Sequence, residues 1–204
     1  MTLNYVRCAF SVICLVTFCA VPVLAEQKTE PVTAVVLPDG RYSKIAIREM
    51  GREAGHILKR SGVSLRWRIG VPPQAVSGLL VVVKLAGRCD MDGPPASLEP
   101  GPLGWSHESD GSLLPFTDLA CDRLRGAVGA AMPPGNPLGG NILLGRAMGR
   151  VLAHELYHIV ADTPQHGRDG VAQAALSPRE LTSGFLELNH AQTVAVQNGL
   201  SRAH

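Results

Sequence analysis

Val32 to Leu37 (VTAVVL) is a β-branched apolar run stopped by Pro38-Asp39-Gly40, which predicts a strand and then a turn. Ala46, Met50, Ala54 and Ile57/Leu58 then recur at helical spacing. Ser43 suits the start of that helix, and Lys59, Arg60 and Gly62 suit its end. Val63 to Ile69 alternates apolar and polar residues, the signature of a strand with one buried face. Leu79 to Leu85 (LLVVVKL) is apolar nearly throughout, as a central strand requires. Leu103–His107 and Leu113–Leu119 read as two strands joined by an Asp110-Gly111 hairpin turn. Pro115 sits awkwardly there, because proline belongs at sheet edges or bulges.

The second half of the pattern is helical. Cys121 to Met132 suits a short helix, and Pro133 to Gly140 reads as a loop. Asn141 is the expected N-cap of the next helix. Leu144, Met148, Leu152 and Ile159 form its core stripe, and Ala147, Val151, His154 and His158 form an adjoining one. Gly145 and Gly149 each cost about 1 kcal/mol against Ala inside a helix. Close packing against the sheet is the expected reason for them. Pro164 disfavours helical angles at Thr163, so this helix should end near Asp162. Ser177-Pro178-Arg179-Glu180 has the cap, the proline and the glutamate of a capping box, and should open the last helix.

Composition changes this picture at the N-terminus. Arg7, the apolar stretch Cys8–Val23 and the small-residue ending Val23-Leu24-Ala25 read as a signal peptide cleaved after Ala25. The rival is an uncleaved anchor, which the run is short to provide, and Pro22 interrupts its end. Residues 26–204 then form one domain, expected to be secreted or periplasmic, monomeric, and free of stable membrane association after cleavage. With 19 Lys+Arg against 17 Asp+Glu and no basic block, nucleic acid is not an expected partner. Three of the five cysteines leave with the signal. Cys89 and Cys121 remain, and in an exported domain one disulfide is the simplest outcome, with two buried free thiols as the alternative.

The candidate chemistry lies in His154-Glu155-Leu156-Tyr157-His158, an HExxH motif, followed by His166. Two histidines four apart on a helix share a face and can reach one zinc ion (Zn2+). A catalytic zinc takes three protein ligands and keeps a fourth position open. His154, His158 and His166 are the expected ligands. Glu155 is the expected general base, taking a proton from water as it attacks a carbonyl and passing one to the leaving amine. Glu180 is the rival third ligand, although the capping box already employs it. Asp162 is either a turn residue or a group that orients a ligand imidazole. His56, His107, His190 and His204 read as surface or packing residues.

These residues together resemble the metzincin clan of zinc metalloproteases, whose metal motif is HExxHxxGxxH. The element order is similar: strand, helix, three further strands, hairpin turn, active-site helix, C-terminal helix. The resemblance implies an α/β (α+β) zincin catalytic domain. It would have a five-stranded mixed twisted sheet, a backing helix, the HExxH helix and a C-terminal helix. It also implies His154, His158 and His166 as ligands and Glu155 as base. An extended peptide or protein substrate would pair with the edge strand at Leu103–His107, with Trp105 as a wall. In that layout Cys89 and Cys121 follow neighbouring parallel strands. The chain departs from the clan in three places. The third His is two residues later, Ala161 stands at the Gly position, and Leu176 stands where the clan's methionine turn has Met. Asp162 could adopt the left-handed conformation in place of that Gly. Two other readings follow from the residues: a zinc- or peptide-binding module that does not cleave, and a peptidase with Glu180 as third ligand.

Overall fold

A computed structural model describes residues 30–132 and 137–202. Residues 1–25, expected to be a signal peptide, and His204 lie outside the described residues. In chain order the elements are β1 (Glu30–Pro38), α1 (Lys44–Lys59), β2 (Val63–Ile69), β3 (Leu79–Ala86), β4 (Gly104–Ser109) and β5 (Ser112–Ala120). Then follow α2 (Cys121–Ala131), α3 (Pro137–Ala161), α4 (Pro178–Thr182) and α5 (His190–Arg202). The strands form one mixed sheet in the order β2-β1-β3-β5-β4. β1, β2, β3 and β5 run parallel, and β4 is antiparallel to β5 at the edge. The expected α/β architecture with a five-stranded mixed sheet is the one observed.

The apolar pattern accounts for most of these elements. β1 is buried because it lies between β2 and β3, and β3 is buried because it lies between β1 and β5. The hairpin turns on Asp110 and Gly111, both at positive φ (53° and 76°). Pro115 is tolerated for a specific reason. The β4–β5 register shifts between Ser106 and Glu108, and β3 pairs with β5 only from Phe116 onward. The proline therefore sits at a bulge, where no ladder needs its missing N–H. At the strand ends Cys89 and Cys121 are bridged, with Cα atoms 5.0 Å apart. Just beyond, the buried Asp90 carboxylate accepts from Arg88 Nε (2.9 Å) and Asp92 N (3.1 Å). Burial alone would raise its pKa. The Arg88 and Asp92 hydrogen bonds, with Arg88 and Arg41 nearby, outweigh that and hold it below the usual 3.8.

Three expectations need correction. First, α3 begins at Pro137, so Asn141 lies inside the helix and is not its N-cap. A proline is compatible with a first helical turn, and the Pro/Gly content hid the extension. The Asn141 side chain is used across the fold instead: Oδ1 accepts from Met91 N and Nδ2 donates to Asp92 Oδ1, each at 3.0 Å. Second, Gly145 and Gly149 face α1 and not the sheet. A Cβ on Gly145 would lie 2.5 Å from Ala46 O, and one on Gly149 would lie 2.7 Å from Met50 O. Third, the capping box at Ser177 is formed, but its helix is the five-residue α4. The last helix is α5, which packs on α3 and sends Arg202 back to Ala161 O (2.9 Å).

One buried cation joins α1, α3 and the end of α4. Arg150 on α3 is 2% exposed and donates from Nε to Glu53 Oε1 at 2.9 Å. Its remaining nitrogens serve the carbonyls of Glu180, Ser183 and Gly184. These carbonyls at the α4 terminus would otherwise lack partners.

Candidate metal centre

Helix α3 places His154 and His158 one turn apart, with ring centroids separated by 4.7 Å. The chain must then reverse to return His166. Asp162 makes the reversal at φ 49°, as its short polar side chain permits. Thr163 N donates back to His158 O (3.1 Å), and Pro164 prevents a further helical turn. The His166 ring ends 5.2 Å from that of His154 and 4.8 Å from that of His158. One ring nitrogen from each residue falls within 4.8 Å of the others. This is the group of three potential metal-ligating side chains found among the described residues.

The tautomers follow from the partners. His154 Nδ1 lies 2.9 Å from Val171 O, and His158 Nδ1 lies 2.7 Å from Thr163 O. A carbonyl only accepts, so both Nδ1 atoms must carry the proton. Both Nε2 atoms are then lone-pair acceptors, and they face each other at 3.0 Å. Two bare lone pairs at that distance repel, and a cation between them removes the conflict. Nitrogens at about 2.0–2.1 Å from a tetrahedral zinc lie roughly 3.3–3.4 Å apart, a few tenths of an ångström wider than the 3.0 Å observed. Burial lowers the pKa of His154 to about 4, against the opposing Val171 carbonyl. Burial likewise lowers that of His158, against Thr163. Both imidazoles are therefore neutral at pH 7, the form that ligates. Backbone carbonyls orient the rings. Asp162 does not, since its Oδ1 accepts from Leu113 N at 3.5 Å.

Glu155 is buried beside this cluster and lines the same cleft. Burial raises its pKa to about 7, opposed by hydrogen bonds from Ser106. Ser106 Oγ, on the edge strand β4, donates to Glu155 Oε2 at 2.8 Å. Nothing in the sequence signalled this contact, because a serine in a strand has no distinguishing pattern. The cleft has a volume of about 460 Å3. Leu103, Gly104 and Trp105 of the β4 side line it, and Ala174, Ala175 and Leu176 line it from the segment before α4. Leu176 is partly buried against the core, which gives the site an apolar floor.

The other candidates lie elsewhere. Glu180 is outside the histidine group. Its carboxylate accepts from Ser177 N (2.9 Å), Ser177 Oγ (2.6 Å) and Gln173 Nε2 (2.8 Å), and the Ser177 and Gln173 bonds lower its pKa. His107 pairs with Asp118 at 2.5 Å. His56 and His190 are exposed on α1 and α5.

The fold and site define an α/β domain with three convergent histidines and a buried glutamate on one cleft wall. Among solved structures the chain is similar to archaemetzincin from Methanopyrus kandleri. That match has 15% identity and a TM-score of 0.49, and it covers 88% of this chain and 99% of that one. No protein-family model and no curated protein sequence matches the chain.

Proposed function

We propose that this chain is an exported, metzincin-like zinc metalloendopeptidase. The observation that carries the reading is the pair of Nε2 lone pairs held 3.0 Å apart by Nδ1 bonds to carbonyls, with His166 closing the group. His154, His158 and His166 would hold the ion. Zinc, when bound, supplies Lewis acidity toward a carbonyl and toward water. The chain's own residues do the rest. Glu155 accepts a proton from the attacking water and delivers one to the departing amine, for which a pKa near neutrality is suited. Ser106 Oγ fixes the carboxylate by donating to Oε2. The apolar walls of Leu103, Trp105 and Leu176 limit water around the reacting bond.

Purified residues 26–204 should contain one zinc per chain and cleave a mixed peptide library. Glu155→Gln should keep the zinc and lose turnover by about 10²- to 10⁴-fold. Zinc without cleavage in the unsubstituted protein would sink the peptidase reading and leave a binding module.

A further inference from the structure

The cleft has a carboxylate at one end, and a guanidinium lies behind its rim at the other. β4 is the last strand in the sheet order, so one edge of it has no strand partner among the described residues. Residues 101–106 and Glu108 border the cleft along that edge. At the hairpin end Glu108 is exposed, and it has no ion-pair partner among the described residues. Its Cα partner across the hairpin, Leu113, donates its N–H to Asp162 Oδ1, which brings a second carboxylate to the same end. At the opposite end the Arg123 guanidinium lies against Gly101, where a Cβ would be 2.9 Å from Cζ. Arg123 Nη1 donates to Pro102 O at 3.1 Å, and Gly101 and Pro102 both line the cleft. No Lys or Arg is among the lining residues.

A peptide that adds to a free strand edge is held by backbone hydrogen bonds, which are indifferent to sequence. Selection then falls to side chains at the ends of the strand. Pro102 and Glu108 are six residues apart, at most about 20 Å at roughly 3.4 Å per residue. Antiparallel pairing, the more stable ladder per residue, puts the N-terminal half of a bound peptide at the Glu108 end.

We propose that the preferred substrates are extended peptides with a Lys or Arg in the N-terminal half and an Asp or Glu about six residues later. The basic side chain pairs with Glu108 and the acidic one with Arg123. This rests on the hydrolytic reading above for cleavage, but not for binding.

The test uses three nonapeptides with a common Ala/Leu/Gln interior: Lys-first with Glu six residues later, the reversed order, and Gln at both places. Binding is measured by calorimetry on zinc-loaded Glu155→Gln protein, and kcat/KM is measured on the unsubstituted enzyme. The Lys-first peptide should bind and be cleaved about threefold to tenfold better than the reversed one, the sum of two exposed ion pairs. Raising salt should narrow the gap. Glu108→Lys should reverse or abolish the preference, and a thermal melt checks that this variant is folded. Equal binding of the two orders, or an unchanged preference in Glu108→Lys, overturns the proposal. Ordered binding without any cleavage supports it while removing the peptidase reading. Cleavage without charge order does the opposite.

Discussion

At the residue scale the site depends on what each polar group is given as a partner. His166 and Glu180 are both within reach of the motif in sequence, and their partners separate them. Glu180 is engaged by Ser177 and Gln173, whereas His166 is ringed by the other two imidazoles. His166→Ala should therefore weaken zinc binding at least tenfold in a chelator competition, and Glu180→Ala should leave it within about twofold, while losing about 1 kcal/mol of stability as a broken cap. Asp90 makes a similar case away from the site. Its folded pKa is below the free value of 3.8, so its ionised form stabilises the fold above that pH and loses the effect as pH falls through the folded value. Asp90→Asn should cost about 2 kcal/mol at pH 7. In urea titrations the difference from the unsubstituted protein should shrink as pH drops below 3.8.

At the scale of elements, α3 is the piece that everything else positions. It contacts α1, α2, α4, α5 and the β4–β5 hairpin. It packs closely on α1 at Gly145 and Gly149. In an isolated helix Gly→Ala would stabilise by about 1 kcal/mol. Here the sign should invert. The new Cβ of Gly149→Ala would lie 2.7 Å from Met50 O, a backbone atom that cannot rotate away. Overpacking of this kind costs about 1–3 kcal/mol, readable as a lower urea midpoint at constant slope. The helix and its ligand stripe are legible in the sequence, because both repeat at 3.6 residues. The neighbour of the glycines is not, because a glycine signals a close approach without saying by what. Nor is the start of α3 at Pro137, since Pro and Gly look alike whether they open a helix or a loop.

At the scale of the whole molecule the disulfide ties the ends of two parallel strands, β3 and β5, across 32 residues of chain. In the chain-entropy model closing a loop of that length stabilises by about 3–4 kcal/mol. Reduction should lower stability by about that amount, measured as a fall in urea midpoint with reductant present. The effect belongs to the whole fold, because it acts on the unfolded chain.

The sequence alone determined the strand order, the helices as far as α3 and the two cysteines. It also determined the candidate site as far as His154, Glu155, His158 and His166. Each of these is written in local periodicity or in residue type. What only the tertiary structure decided depends on contacts between positions far apart in the chain. It turned Asp162 so that His166 returns to the motif. It brought Val171 O and Thr163 O to the imidazole Nδ1 atoms and Ser106 from β4 to Glu155. It also set Glu108 at one end of the cleft and Arg123 behind the Pro102 rim at the other. No periodicity encodes such pairs, because backbone carbonyls carry no residue identity and a hydroxyl or a charge acquires a role only from what folding puts beside it.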